Sequence, residues 1–124
     1  MGVIALVVAA GRGTRAGGPL PKQYQRLGTE TVLTKTLRTL LGVGVIDQVA
    51  VVIHKDDQSL YERAVASVQT TALLPPVEGG DTRAASVRNG LEALSPHAPD
   101  HVLIHDAARP FAPAHMIEAV VDAL

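Results

Sequence analysis

The sequence predicts an α/β protein with an open, mostly parallel β-sheet flanked by helices. Hydrophobic residues make up 47 % of the 124 residues and aromatic residues only 2 %, so aliphatic side chains must fill the core. Short β-branched runs alternate with stretches of helical periodicity, and the links between them are long enough to cross over a sheet. One domain is expected at this length. The last apolar stripe stops at Leu124 without a capping residue, which predicts a sheet that is incomplete at the C-terminus.

The first strand is predicted at Val3–Ala9, where a continuous aliphatic run has glycines close to both ends. Such a run is typical of a strand covered on both faces. The stretch that follows, residues 10–28, holds five glycines together with Pro19 and Pro21 and has no apolar periodicity. We therefore expect a long loop there.

A helix and a second buried strand follow the loop. From Val32 the apolar side chains recur on one helical stripe, which ends at Gly42 and Gly44. The members of this stripe are Leu33, Leu37, Leu40 and Leu41. The run Gln48–Ile53 then predicts the second strand.

The second helix is expected to begin close to residue 58. Ser59 and Glu62 stand at the spacing of a capping box, and Asp57 is the alternative cap. The stripe predicted to face the core consists of Leu60, Ala64 and Val68.

An abbreviated strand and a third helix are predicted next. Residues 73–77 form a short apolar segment interrupted by two prolines, and Asp81 is the expected N-cap of the helix that follows. The side chains expected to face inward from this helix are Ala84, Val87, Leu91 and Leu94. Residues 101–105 (HVLIH) predict the last strand, and Pro113 predicts the first turn of a final helix.

Charge and cysteine content exclude several classes of function. The formal net charge is −1, with 11 basic and 12 acidic residues and no long run of like charges, so no broad surface for nucleic acid or a membrane is predicted. The apolar N-terminal run is too short to span a bilayer and lacks the basic start of a signal peptide. The absence of cysteine excludes a disulfide framework and is compatible with a cytoplasmic protein.

One edge of the predicted sheet collects three segments that are rich in glycine and polar residues. In open parallel sheets, ligands bind beyond the carboxyl ends of the strands. Residues 10–22, 79–86 and 106–109 follow those ends in this sequence. We expect the functional site where these segments meet.

The loop after the first strand is compatible with two kinds of ligand. Gly11, Gly13 and Ala16 match the dinucleotide fingerprint G-x-G-x-x-A, which leaves an NAD(P)-binding oxidoreductase open as one alternative. That fold requires a regular helix at this point, and Pro19 and Pro21 oppose one.

A polyphosphate is the ligand that we favour. Glycines allow close approach of the backbone, while Arg12, Arg15 and Lys22 supply positive charge. A solvated surface loop is the alternative, but three cations beside G-x-G favour a binding role for Arg15 and Lys22.

Four short segments together resemble one enzyme family. They are residues 8–15 (VAAGRGTR), 21–24 (PKQY), 79–83 (GGDTR) and 105–111 (HDAARPF). The loop resembles that of the sugar-nucleotide-type nucleotidyltransferases, and PKQY is similar to the ending in the 2-C-methyl-D-erythritol 4-phosphate cytidylyltransferases of the non-mevalonate isoprenoid pathway. The resemblance implies a Rossmann-like nucleotidyltransferase fold, with residues 1–124 as the N-terminal, nucleotide-binding part of a single domain.

The resemblance also implies a reaction and its site residues. Family members convert CTP and methylerythritol phosphate into the cytidine-diphosphate alcohol and pyrophosphate, using Mg²⁺. Arg15 and Lys22 would be the catalytic residues that grip the triphosphate. Asp106 would bind the metal or a substrate hydroxyl, and Ala107 would contact the ribose. The other implied nucleotide-binding residues are Ala9, Ala10, Gly11 and Gly13, and, at the cytosine, Gly80, Asp81 and Ser86.

Structural roles are the alternative for several of these residues. Asp81 would then cap a helix, Ser86 would be solvated, and Asp106 would belong to a surface turn. Arg109 is equally well explained by pairing with a nearby carboxylate. The five histidines show no ligand spacing and are expected to be structural or solvated.

The resemblance finally implies partners and a missing portion. Full-length members are expected to be cytoplasmic homodimers whose second half carries the dimerisation arm and acceptor-binding residues, and some are fused to a cyclodiphosphate synthase. A ribitol-5-phosphate cytidylyltransferase remains an alternative, against which the alanines of HDAARP argue. A noncatalytic fragment remains a further one.

Overall fold

A computed structural model describes residues 2–11, 21–68 and 70–107 of the chain. Its strands are β1 (Val3–Ala9), β2 (Arg26–Leu27), β3 (Glu30–Thr31), β4 (Gln48–Ile53), β5 (Val77–Glu78) and β6 (His101–Asp106). The main sheet is parallel and has the order β5-β4-β1-β6, while β2 and β3 form a separate antiparallel hairpin. The predicted parallel α/β architecture is confirmed.

The helices lie between the strands of the main sheet along the chain. They are α1 (Val32–Leu41), α2 (Gln58–Val65) and α3 (Arg83–Leu94), with short 3₁₀ turns at Lys22–Tyr24, Lys55–Asp57 and Ser95–His97. The final helix predicted from Pro113 lies outside the described residues. Among the helices that are described, none has the length and apolar character needed to cross a membrane.

The register of the sheet brings the carboxyl ends of its strands to one edge. Val8 lies opposite Val52 on one side and Asp106 on the other, and Val52 in turn lies opposite Val77. Each strand therefore ends within a residue or two of its neighbours. The loops that leave these ends must run along the same edge.

One face of the sheet, which we call the α1–α2 face, carries the larger part of the core. The predicted α1 stripe is confirmed, because Leu33, Leu37 and Leu40 are fully buried and Leu41 packs against them at the margin. The strand and α2 side chains that join this cluster are Ala5, Val7, Ala9, Val49, Val51, Ile53, Leu103, Tyr61, Ala64 and Val65.

The opposite face, which we call the α3 face, differs from the prediction. Its strand residues are Ile4, Leu6, Ala50 and Val52. Of the predicted inward stripe of α3 only Leu94 is buried, and the residues that accompany it are Ser86 and Gly90. Leu91 is 40 % exposed.

Close contact with the sheet explains this rotation of α3. A β-carbon added to Gly90 would lie 2.7 Å from Leu6 Cδ1 and 2.9 Å from Val52 Cγ2. Larger side chains cannot occupy that distance without displacing the helix, so small residues line the contact.

The starts of two helices also differ from the prediction. The capping box in α2 is wrong, since Ser59 lies inside a helix that begins at Gln58, and Gln58 Nε2 donates to Glu62 at 3.0 Å. Asp57, the alternative, occupies the N-cap position, but its side chain makes no capping hydrogen bond to the helix. Asp81 does not cap α3, because Thr82 Oγ1 accepts the Ala85 N–H at 3.0 Å.

The long loop predicted at residues 10–28 is interrupted by local structure. Lys22–Tyr24 forms a 3₁₀ turn, and Arg26–Leu27 pairs with Glu30–Thr31 in the hairpin. Elements this short leave no periodic signal in a sequence. Residues 12–20 of the loop lie outside the described ranges.

Candidate functional site

A cleft of about 390 Å³ lies at the carboxyl edge of the sheet. Its lining comes from the ends of β1, β4 and β6 and from the turn that leads from β5 into α3. The lining residues are Val8, Ala10, Gly11, Gln23, His54, Gly80, Asp81, Thr82, Arg83, Ser86 and Asp106. The three segments predicted to meet at this edge therefore each contribute described residues to one cleft.

The turn after β5 forms one wall of the cleft. A β-carbon on Gly79 would lie 2.6 Å from Ala10 Cβ and 2.7 Å from Ser86 Oγ, so only glycine allows this turn to lie against the end of β1. The Gly80 N–H donates to Ser86 Oγ at 3.1 Å. Ser86 is 2 % exposed, and its hydroxyl fixes the glycine turn from within α3.

The chain after β1 is fixed by a buried side chain. Gln23 is 5 % exposed, and its Nε2 donates to the carbonyl oxygens of Ala9 at 2.8 Å and Gly11 at 3.0 Å. Lys22, the residue before it, is exposed. The same 3₁₀ turn thus buries an amide and presents an ammonium group to solvent.

The end of β6 places one carboxylate at the cleft and buries the next residue. Asp106 is exposed and lines the cleft. Ala107 is 1 % exposed; its N–H donates to Val8 O at 3.1 Å, and its carbonyl accepts from Thr36 Oγ1 at 2.9 Å. Its peptide groups are therefore engaged within the protein.

The residues discussed as site candidates fall into four groups. Those that line the cleft are Ala10, Gly11, Gly80, Asp81, Ser86 and Asp106. Ala9 and Ala107 are buried behind it, and Lys22 is exposed on the turn that carries Gln23. Gly13, Arg15 and Arg109 lie outside the described residues.

Five residues that line the cleft are absent from the site predicted by the sequence: Val8, Gln23, His54, Thr82 and Arg83. The expectation that His54 is structural or solvated overlooks its position as the first residue after β4, at a carboxyl end of the sheet. Its Nδ1 accepts the Asp56 N–H at 3.0 Å. Thr82 and Arg83 begin α3, where the position of the cap could not be read correctly. For Gln23, no sequence signal distinguished its amide from those of other glutamines.

The described lining of the cleft carries both a cationic side chain, which suits phosphates, and carboxylates, which suit a metal ion. Arg83 lies in the first turn of α3, next to backbone N–H groups that favour anions. Asp81 and Asp106 supply carboxylate oxygens to the same cleft. No cluster of three or more metal-binding side chains occurs in the part of the chain that the structure describes. A cation would thus depend on ligands that a phosphate group brings.

Known proteins match this chain closely. The sequence model of the family IspD: 2-C-methyl-D-erythritol 4-phosphate cytidylyltransferase matches residues 3–124. A bifunctional enzyme IspD/IspF from Brucella anthropi is 47 % identical over 124 residues, which cover 98 % of this chain and 30 % of that enzyme. The chain thus spans less than a third of that relative's length.

Solved structures agree with the fold. The 4-diphosphocytidyl-2C-methyl-D-erythritol synthase of Anaerococcus prevotii is 33 % identical with a TM-score of 0.80, over 98 % of this chain and 49 % of that one. A protein of Mycobacterium tuberculosis in complex with manganese is 23 % identical with a TM-score of 0.71, over 99 % of this chain and 59 % of that one, and this likeness concerns the fold alone. The predicted Rossmann-like nucleotidyltransferase fold is confirmed, and the chain belongs to the 2-C-methyl-D-erythritol 4-phosphate cytidylyltransferase family.

Proposed function

We propose that the protein containing this chain transfers a cytidylyl group from CTP to 2-C-methyl-D-erythritol 4-phosphate. The products are 4-diphosphocytidyl-2-C-methyl-D-erythritol and pyrophosphate. The observation that carries the proposal is the convergence of the β1, β5 and β6 ends on one cleft in a member of this family. This chain supplies the nucleotide-binding part of the enzyme.

The transfer step needs stabilisation of negative charge more than proton transfer. A phosphate oxygen of the acceptor forms a bond to the α-phosphorus of CTP, while the bond from that phosphorus to the bridging oxygen breaks and pyrophosphate leaves. The acceptor phosphate has a second pKa of about 6 and is already ionised at neutral pH. No general base is required, so cations in fixed positions lower the barrier.

Lys22 and Arg15 are the cations proposed for this role. Lys22 is exposed, and Gln23, the next residue of the same turn, lines the cleft. The four-carbon stem of Lys22 can therefore reach a triphosphate in the cleft. Arg15 belongs to the same predicted phosphate-binding segment, residues 10–22, and lies outside the described residues. Gly11 and Gly13 would let the loop backbone approach the phosphates.

The glycine wall is proposed to receive the cytosine. Ala10, Gly80, Asp81 and Ser86 leave a narrow, small-residue wall that suits a pyrimidine. The Gly80 N–H is already bonded to Ser86 Oγ. Recognition of the base would therefore use the remaining carbonyl and N–H groups of this turn, with Ala9 and Ala107 supporting the pocket from behind.

A divalent cation, Mg²⁺ by preference, fits the donor set of the cleft. Mg²⁺ is commonly held by one or two carboxylates together with substrate phosphates and water, and Asp106 supplies such a carboxylate. When bound, the cation would neutralise charge on the phosphates. Homodimerisation and a cytoplasmic location are further parts of the proposal, which rest on the family resemblance.

Product analysis tests the proposed function directly. The protein expressed from its complete reading frame is incubated with CTP, Mg²⁺ and either methylerythritol phosphate or ribitol 5-phosphate, and the products are identified by mass spectrometry. We expect the cytidine-diphosphate methylerythritol and pyrophosphate. A product formed only from ribitol 5-phosphate, or no product with either alcohol, would overturn the assignment.

Charge-removing variants test the proposed cations in the same assay. Lys22→Met and Arg15→Met are each expected to lower kcat by roughly 100- to 1000-fold, the cost typical of one lost transition-state contact. Lys35→Met is the matched control, because Lys35 is on α1, away from the cleft. Full activity in both loop variants would contradict the proposed mechanism.

A further inference from the structure

The side chain of Gln23 makes an unusual connection for a residue beside a binding cleft. It is 5 % exposed, and the same nitrogen donates to Ala9 O at 2.8 Å and to Gly11 O at 3.0 Å. A glutamine amide has two N–H groups, so these two bonds use its full donor capacity. Both acceptors are backbone atoms, which fixes the path of the main chain after β1.

These two bonds connect the end of β1 with the 3₁₀ turn Lys22–Tyr24, which lie at the two ends of the proposed phosphate-binding segment. Ala9 is the last residue of β1 and Gly11 is where the loop begins, while Gln23 lies just after the loop ends. These bonds add to the packing of Pro21 and Tyr24, which are buried on either side of Lys22 and Gln23. The buried amide bonds therefore limit the movement of the turn relative to the end of β1.

Lys22 depends on this connection for its position. In the 3₁₀ turn Lys22–Tyr24, Gln23 and Tyr24 are buried and Lys22 is exposed. The buried side chains of Gln23 and Tyr24 therefore anchor the turn, while the side chain of Lys22 remains exposed to a ligand. A small displacement of the turn would move the ammonium group relative to the end of β1.

We infer that Gln23 is a positioning residue for the transfer reaction: its amide sets the distance between Lys22 and the carboxyl end of β1, where the phosphates of CTP are expected to lie. The inference rests on the proposed function. Gln23 acts on the reaction through the position of Lys22. Loss of the amide misplaces the cation in the transition state, where an error of about 1 Å can cost about 100-fold in rate.

A double-mutant cycle tests this dependence in the protein expressed from its complete reading frame. Gln23→Met removes both N–H donors at similar size, and we expect kcat to fall roughly 10- to 100-fold, with the KM for the acceptor alcohol changed by less than about threefold. The double variant Gln23→Met/Lys22→Met is expected to have the same kcat as Lys22→Met alone. Once the Lys22 ammonium group has been removed, its position no longer affects the rate.

Two further variants separate positioning from folding. Gln58→Met removes an exposed amide from α2 and is expected to leave kcat unchanged. Gln23→Glu keeps the shape of the side chain but turns oxygen toward two carbonyl oxygens, so we expect it to be at least as slow as Gln23→Met. If Gln23→Met does not fold, as judged by circular dichroism, the cycle is run with Gln23→Asn, whose shorter stem withdraws its amide from the carbonyls.

The outcomes distinguish this inference from the function on which it rests. If the wild-type protein transfers no cytidylyl group, the proposed function fails and the inference fails with it. If Lys22→Met is impaired while the Gln23 variants keep wild-type kcat, only the role of Gln23 is overturned. Losses that multiply in the double variant would likewise overturn it, since they would show that the two residues act independently.

Discussion

On the α1–α2 face the sheet is covered by three fully buried leucines of α1, whereas on the α3 face a helix approaches the sheet through a serine and a glycine. Leu37 represents the first arrangement and Gly90 the second. Large side chains bury more apolar area and provide stability. Small ones let backbone elements come close, and the α3 face is the one whose helix begins at the cleft. The large side chains that stabilise the fold thus lie mainly on one face of the sheet, and the helix whose first residues line the cleft lies on the other.

The largest effect on stability is expected on the α1–α2 face. Leu37→Ala should lower the free energy of unfolding by about 2–5 kcal/mol, because the Leu37 side chain is 0 % exposed and its removal leaves a cavity in the core. Below the unfolding temperature its kcat should remain that of the wild type, since Leu37 does not line the cleft. Urea denaturation and steady-state kinetics measure the two quantities. A folded Leu37→Ala protein with strongly reduced kcat would break the division between the faces.

A smaller loss of stability with a clearer loss of activity is expected on the α3 face. In Gly90→Ala the new methyl group meets Leu6 and Val52, and such overpacking costs about 1–3 kcal/mol. Higher helix propensity of alanine regains up to about 1 kcal/mol. Because Leu6 and Val52 are fully buried and have little room to shift, we expect the helix to move outward and Ser86, one turn earlier on the same side, to move with it.

CTP affinity, measured by calorimetry in the complete protein, should therefore fall in Gly90→Ala. Gly44→Ala is the matched control, because nothing lies within 4 Å of a β-carbon at Gly44. Equal CTP affinity in Gly90→Ala and the wild type would show that the spacing of α3 from the sheet does not govern the cleft.

The contrast between the faces also explains which elements could be predicted. Helix α1 can be predicted from the sequence because most of its buried apolar residues are leucines at helical spacing. Helix α3 buries Ser86 and Gly90, which no hydrophobicity pattern identifies, so the more apolar Val87 and Leu91 were assigned to the core instead. The described residues of the three predicted segments meet at the carboxyl edge, because parallel strands all end at the same edge of a sheet.

Gln23 marks the limit of sequence reasoning at the site. Its role depends on two carbonyl groups more than ten residues away along the chain, and backbone acceptors have no residue type by which a pattern could reveal them. The motif PKQY singled out Lys22, whose charge suggests chemistry. The neighbouring amide became visible only when the turn and the end of β1 were placed together.

The N-caps of α1 and α3 permit a finer comparison. Thr31 Oγ1 accepts the Thr34 N–H at 3.1 Å, and Thr82 Oγ1 accepts the Ala85 N–H at 3.0 Å. Replacing either threonine by alanine should cost about 1 kcal/mol of stability, the usual value of such a cap. Only Thr82 lines the cleft, so only Thr82→Ala should weaken CTP binding. An equal loss of affinity in Thr31→Ala would refute this separation.

The smallest effect at neutral pH is expected at Tyr61, a polar exception on the α1–α2 face. Its side chain is 3 % exposed, and its hydroxyl has no hydrogen-bond partner among the described residues. Burial raises the pKa of Tyr61 from 10.0 to about 12. Because this hydroxyl is buried without compensation, Tyr61→Phe should change stability by less than about 0.5 kcal/mol near pH 7, or increase it slightly.

Alkaline pH should reveal the difference between the two side chains. The folded protein retains the Tyr61 proton more strongly than the unfolded chain, so its contribution is fully present below pH 10 and is lost as the pH rises toward 12. The wild type should therefore lose up to about 1.4 kcal/mol per pH unit more than Tyr61→Phe in that interval. Urea midpoints measured for both proteins from pH 9 to 11.5 would show diverging curves. Parallel curves would mean that the Tyr61 hydroxyl reaches water or a hydrogen-bond partner in the folded protein, and that water enters the α1–α2 face at this position.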